Sequence, residues 1–289
     1  MSPGRGLPRL QAGALRALAV GHSTLDRYGD DLLPGGSAWY GARVFSALGA
    51  DVSLHTAHGP GGDSNAFDGL AVTRTPSEHW TVFTNRHDSQ GRRTQHVETE
   101  ASPIPPPASP PRPTPDVLFL APVFGELSLS AWVEAVPAPL VGMGCQGWLK
   151  CRVPAQSDAG PSLVVPSRWP WSDADLGRVH VACLSIDDVG GDSEILNRLI
   201  RIVPLVALTL GARGCLLFER GRGTHVPAAS ASEVDPTGAG DTFAAALLMG
   251  LAEKRTPLDA ARRAAVCAAR VVEAQAGLAL PSLGAMARG

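Results

Sequence analysis

The segment Asp235-Pro-Thr-Gly-Ala-Gly-Asp241 is the most chemically loaded stretch of this chain. Two glycines flank Ala239, so the backbone can turn tightly and point successive amides into one concavity. The apolar run that follows, Phe243 into Ala244-Ala-Ala-Leu-Leu-Met, predicts a helix that begins at this turn. The positive end of its dipole and its unpaired first amides suit an anion, and a phosphoryl group in transfer is the anion most in need of such a cradle. A carboxylate there makes sense if it reacts: beside the transferred group, Asp241 would accept the proton of an attacking hydroxyl. The competing reading is a plain helix cap, for which Gly and Asp are ordinary choices.

Such a loop works only if other elements bring partners to it. Leu15 to Val20 is a short apolar run that ends at Gly21, the pattern of a buried strand emptying into a loop, and that loop carries Asp26, Asp30 and Asp31. Gly35 and Gly36 introduce Ser37 to Leu48, where Ala38, Ala42, Phe45 and Leu48 return at helical spacing, and Val52 to Thr56 reads as the next strand. Strand, helix, strand in this order predicts a parallel sheet. Thr81 to Arg86 and Thr94 to Glu98 read as a hairpin joined at Asp88 to Arg92, most simply a flap beside that sheet. Ser102 to Pro115 is dominated by proline and should be a stiff connector without helix or central strand.

The rhythm then resumes. Strands are expected at Val117 to Leu120, Leu140 to Met143, His180 to Leu184 and Leu205 to Leu210, with helices at Ser128 to Val136 and Glu194 to Ile202. Cys215 to Glu219 and Gly223 to Pro227 read as an antiparallel pair, before two Ala-rich helices at Asp241 to Glu253 and Leu258 to Gln275. The expectation is a flexible extension over residues 1–14 and one α/β domain over 15–289. A mainly parallel sheet flanked by helices would carry a small β lid drawn from residues around 22–36 and 72–100.

Composition narrows the partners. With 25 Lys plus Arg against 27 Asp plus Glu, the net charge of -2 lacks the basic footprint of a nucleic-acid surface. Hydrophobic residues make up 44%, yet no apolar run approaches the roughly 20 residues of a membrane span. Leu7 to Val20 has the apolar, Arg-flanked look of a leader, but Arg16 interrupts it and the run flows into the first strand. The five cysteines (Cys145, Cys151, Cys183, Cys215, Cys267) form neither a disulfide framework nor a zinc spacing, which predicts a reducing, cytoplasmic home. Only two lysines occur, Lys150 and Lys254, neither in a G-K-[ST] loop, and no G-x-G-x-x-G follows the first strand. Both classical nucleotide motifs are therefore excluded. His55 and His58 fall at a strand end rather than on a helix face, which argues against a metal pair. Arg86, Arg92 and Arg93 read as a solvated flap, and Trp169 and Trp171 as either a sugar-stacking face or loop anchors.

Asp235 to Asp241 resembles the second signature of the ribokinase-like (phosphofructokinase B type) carbohydrate kinases, D-T-x-G-A-G-D, with Pro236 in place of the first threonine. The resemblance runs from about Leu18 to Ala279. It implies that Asp241 is the catalytic base and that the amides of Gly238, Ala239 and Gly240 stabilise the transferring group. It also implies that Thr209, Gly211 and Gly214, in Val206-Ala-Leu-Thr-Leu-Gly-Ala-Arg-Gly214, lie by the ATP phosphates with Thr237. Ala268, on the helix Ala264 to Val272, would sit by the adenine. Asp26 would bind acceptor hydroxyls, and Gly35 and Gly36 would form the lid hinge.

Two departures stand out. Tyr40 replaces the usual asparagine after the glycine pair, so Trp39 and Tyr40 offer either an aromatic acceptor surface or core packing. The N-x-x-E motif appears as Ser185-Ile-Asp-Asp188, where the shorter Asp188 would hold metal-bound water. The aromatic after the glycine pair, the hairpin and Gly144-Cys-Gln-Gly-Trp148 look most like the inositol-kinase-like branch. The implied protein is a monomeric or homodimeric, ATP- and Mg2+-dependent kinase, with K+ or a similar monovalent cation as a further cofactor. Its acceptor would be a small sugar or polyol. The alternatives are a nucleoside kinase of the same fold and a degenerate member that binds a ligand without turnover.

Overall fold

The structure, a computed structural model, describes residues 14–61, 64–87, 93–153, 160–167 and 170–288. The N-terminal extension, but for its last residue, and the Asp88 to Arg92 loop lie outside them. The chain opens with the buried strand β1 (Arg16–Val20), then β2 (Thr24–Tyr28), β3 (Asp31–Gly35), helix α1 (Ser37–Ala47) and β4 (Asp51–His58). β1 and β4 are parallel with α1 between them, as the apolar spacing requires. The stretch expected to be a loop around Asp26, Asp30 and Asp31 is instead the antiparallel pair β2 and β3, turned at Gly29, whose φ of 64° only glycine adopts at little cost.

Next come β5 (Ala71–Pro76), β6 (Thr81–His87) and β7 (Arg93–Thr99). The expected hairpin of β6 and β7 is present. β5 was not expected: it pairs in parallel with β4 at the edge of the large sheet, so the lid strands of this region begin at Thr81 rather than near residue 72. Its exposed, proline-ended sequence suits an edge and lacks the apolar alternation of a half-buried strand. The proline-rich stretch carries neither helix nor strand, and its one large apolar residue, Ile104, is buried where its carbonyl accepts from Trp132 Nε1 at 3.1 Å.

The second half holds β8 (Val117–Leu120), α2 (Leu129–Ala135), β9 (Leu140–Gly144), β10 (Lys150–Val153), β11 (Ser162–Pro166) and α3 (Asp173–Leu176). It continues through β12 (Val181–Ser185), α4 (Ile186–Val189), α5 (Ser193–Ile202), β13 (Leu205–Thr209), β14 (Cys215–Glu219) and β15 (Arg222–Val226). It closes on α6 (Ala239–Ala252) and α7 (Pro257–Val271). α7 ends four residues short of the expected Gln275, ahead of Ala276 at φ 47°.

Two sheets result. The large one has the order β15-β14-β13-β12-β9-β8-β1-β4-β5 and is parallel except where β14 joins antiparallel to its neighbours. The lid has the order β10-β11-β7-β6-β2-β3, so β10 and β11 join it although neither was expected. α1, α6 and α7 cover one face of the large sheet and α2 and α5 the other, giving two apolar layers. α6 is apolar nearly all round and buried along most of its length, as a helix sandwiched between the sheet, α1 and α7 must be. Among the described residues, no helix is long and apolar enough to cross a membrane. The segments after the carboxyl ends of β1, β9, β12 and β13 carry Asp26, Lys150, Asp188 and Gly211, and that end of an open α/β sheet is where ligands bind.

Candidate active site

The helix α6 starts from Gly238, whose φ of 79° is left-handed, and no side chain caps its first turn. A Cβ at Gly238 would stand 2.3 Å from Tyr40 Cε1, so glycine is required there by both dihedral and space. Of the three amides expected to face an anion, that of Ala239 donates back to Pro236 O at 3.2 Å within its own loop. The turn is held from beneath by Asp235, which is buried. Its Oδ1 accepts from the Thr237 amide at 2.9 Å, and its Oδ2 from the Ala276 amide at 3.0 Å and the Tyr28 hydroxyl at 3.0 Å. Burial opposes the Asp235 charge, but hydrogen bonds from Thr237, Ala276 and Tyr28 outweigh it and hold the carboxyl below the usual range.

Asp241 is the third residue of α6 and only partly open to solvent. Burial lifts its carboxyl to about 6; Ser37 and the Lys150 charge pull the other way, while Asp188 adds to the rise. Side chains from α1, β10 and α4 thus all act on this one carboxyl of α6. A base poised near neutral pH is what proton transfer from an alcohol asks for. Ser37 was not singled out from the sequence, and Lys150 stood out there only as a lysine outside any phosphate-binding motif. The available signal was position: Ser37 directly follows Gly35 and Gly36, and Lys150 ends the Gly144 to Trp148 segment. Lys150 Nζ donates to Gln95 Oε1 of β7 at 3.1 Å, so the lid supplies this cation.

Asp26 projects from β2 and is 8% exposed, with the Thr24 hydroxyl 3.4 Å from its Oδ1. A Cβ on Gly35 would lie 2.5 Å from Asp26 Oδ2, so the glycine makes room for the carboxylate, and Gly36 turns the chain into α1 at φ 98°. Tyr40 is 1% exposed and lies under the Gly238 turn; its hydroxyl has no hydrogen-bond partner among the described residues. Burial first, then Asp26, Tyr28, Asp241 and Asp235, raise its phenol, so Asp26 and Asp241 both act on one ring. Trp39 is also core, donating Nε1 to Ala66 O at 2.7 Å. Of the two readings left open by the sequence, both aromatics take packing.

Thr209 ends β13 with its hydroxyl donating to Leu184 O at 3.4 Å, and Gly211 and Gly214 follow at φ 59° and 91°. A Cβ on Gly214 would fall 2.1 Å from Val226 O. Ala268 lies part-buried on α7. Asp188 closes a capping box with Ser185, its Oδ2 accepting from the Ser185 amide at 2.8 Å. Its charge also acts on Asp241. Among the described residues there is no cluster of three or more His, Cys, Asp or Glu for a metal.

His55 packs edge-on to Trp132, His58 stacks on Phe67 and Trp80, and Trp171 is buried against Trp148. All five cysteines are free. The side chains of Arg86, Arg92, Arg93 and Trp169 lie outside the described residues.

Residues 185–282 match the pfkB family of carbohydrate kinases. Fructokinase-2 of Oryza sativa subsp. japonica is 34% identical over 86 residues, 29% of this chain and 26% of that protein. Inositol 3-kinase of Arabidopsis thaliana is 45% identical over 56 residues, 19% of this chain and 16% of that protein. The matches therefore span about a quarter or less of these relatives' own length. The solved structure of a pyrophosphate-dependent myo-inositol-1 kinase converted into a myo-inositol-3 kinase superposes with a TM-score of 0.73 at 18% identity. That superposition covers 94% of this chain and 99% of the other. The expected ribokinase-like fold and the resemblance drawn from the Asp235 to Asp241 motif are both borne out.

Proposed function

We propose that this chain, a ribokinase-fold protein matching the pfkB carbohydrate kinases over residues 185–282, transfers the terminal phosphoryl group of ATP to a hydroxyl of a small sugar or polyol. The observation that carries the reading is Asp241: a carboxyl in the first turn of α6, whose start no side chain caps, lifted to about 6 by burial and acted on by Lys150 and Asp188. Asp26 holds the acceptor. Its hydroxyl proton passes to Asp241, the oxygen forms a bond to the terminal phosphorus, and the bridging bond to ADP breaks. First-turn amides of α6 and the Lys150 ammonium meet the charge that spreads over the transferring group. Mg2+ held at Asp188 would neutralise the donor phosphates.

An inositol-like acceptor is supported by the Arabidopsis relative and by the myo-inositol kinase that shares the fold. The nucleoside alternative needs Trp39 or Tyr40 as a stacking surface, and both are buried at 7% and 1% exposure. The unpaired cysteines favour a reducing cytoplasm.

The test is product release with ATP or pyrophosphate as donor, across inositols, hexoses, ribose and nucleosides. Turnover on an inositol or hexose supports the proposal. No turnover on any acceptor, with ADP still bound, would leave a ligand-binding protein.

The pH dependence follows from the base. Asp241 must be ionised to take a proton, so kcat/KM should rise with pH through about 6 and then level off. Lys150 lowers that carboxyl, so Lys150→Met should move the acid limb to higher pH as well as slowing turnover at its plateau. A pH–rate profile of both proteins checks this; an unmoved limb would separate Lys150 from the base.

A further inference from the structure

Tyr28 lies in β2, two residues beyond Asp26 and therefore on the same face of the strand. Its hydroxyl crosses from the lid to the loop before α6: it donates to Asp235 Oδ2 at 3.0 Å and lies 3.2 Å from the Thr237 hydroxyl. The residues joined are 207 apart in sequence. Asp235 in turn fixes the backbone of the turn, through the amides of Thr237 on one oxygen and Ala276 on the other. A phenol is the right group for the task. It reaches far and donates one proton; burial and Asp235 push its ionisation up to about 12, with Thr237 opposing, so it donates across the physiological range.

We propose that Tyr28 is a positioning residue that ties the acceptor strand to the phosphate turn, so that the Gly238 turn takes its working geometry only when β2 is seated. The structure supports a chain of five links: Asp26 on β2, Tyr28 on the same strand face, Asp235, the Thr237 amide, and the turn that begins α6. Acceptor binding at Asp26 orders β2, and Tyr28 passes that order to the turn. Tyr28 touches neither donor nor acceptor in this scheme. Its loss therefore disturbs the placement of reacting groups more than the binding of either substrate, and misplacement of about 1 Å costs on the order of 100-fold.

The inference rests on the kinase reading, and Tyr28→Phe tests it because only the hydroxyl is lost. kcat should fall roughly 10- to 100-fold, with the KM values for donor and acceptor within about twofold of wild type. Asp235→Asn, which puts an amide NH2 where the carboxylate accepted from Tyr28 and Ala276, should give at least as large a loss, and the double variant should be little worse than Asp235→Asn alone, because the Tyr28 tie is then already cut. A raised KM at unchanged kcat, wild-type kinetics, or losses that multiply in the double variant would each overturn the proposal. Calorimetric ADP binding, measured on wild type and Tyr28→Phe, separates the two layers. Wild-type protein that neither binds ADP nor turns over any acceptor defeats the kinase reading itself, whereas active wild type beside an unimpaired Tyr28→Phe defeats only the tie.

Discussion

Asp241→Asn is expected to cut turnover by roughly 10²- to 10⁴-fold and, at the same time, to make the protein harder to melt. Asparagine keeps the shape and the place in the first turn of α6 but cannot take the acceptor's proton. The stability effect has the opposite sign for a physical reason. Burial raises the folded-state carboxyl from 3.8 to about 6, so the unfolded chain ionises first as pH rises. The charged form therefore disfavours folding: the cost is absent below 3.8 and fully present above about 6. Removing the charge is worth about 1–2 kcal/mol at pH 8 once solvent screening is allowed for, a Tm rise of about 2–6 °C. Steady-state kinetics and thermal melts at pH 8 measure both effects. Near-wild-type turnover would remove Asp241 from the base role.

Gly238→Ala should damage both properties together. A left-handed residue with a Cβ costs about 1–2 kcal/mol. Here that Cβ also stands 2.3 Å from Tyr40 Cε1, in a core where the ring cannot retreat. Overpacking of this kind adds about 1–3 kcal/mol, so the expected loss is about 2–5 kcal/mol, or a Tm drop of roughly 5–15 °C. kcat should fall more than about 100-fold, because the turn cannot keep its path. Tyr40→Phe is the informative companion. It keeps the supporting ring and deletes a buried hydroxyl that has no partner among the described residues, so stability should hold or rise slightly and the acceptor KM should not move. A raised acceptor KM would instead return Tyr40 to substrate binding. In the Gly238→Ala background, Tyr40→Ala should recover the part of the loss due to overlap and leave the dihedral cost.

What could be read from the sequence, and what could not, follows the range of the forces involved. Strands such as Val117–Leu120 are buried on both faces in a parallel sheet, so local apolar runs report them. The Asp235 to Asp241 turn is equally local, since two glycines and the helix after it decide its path. β5, β10 and β11 escaped notice because they are short and part-exposed, and only pairing with distant strands defines them. The Tyr28 to Asp235 bond and the closeness of Lys150 to Asp241 depend on how the lid meets the large sheet, which no local pattern encodes. Trp39 and Tyr40 stayed ambiguous for a similar reason: an aromatic pair at a helix start looks the same whether it faces a ligand or a core.

The stretch that matches the pfkB family, residues 185–282, contains Asp188, the Gly211 to Gly214 turn, Asp235, Asp241 and α7. Asp26, Tyr28, Gly35, Ser37 and Lys150 all lie before it. On the proposed roles the order of the chain only partly divides the work. The late stretch carries the phosphate turn and Asp241, the early one carries Asp26, and Lys150 and Tyr28 reach from the early part to the late. A search for a new acceptor would therefore diversify residues before 185 while keeping Lys150 and Tyr28, on which the late half leans.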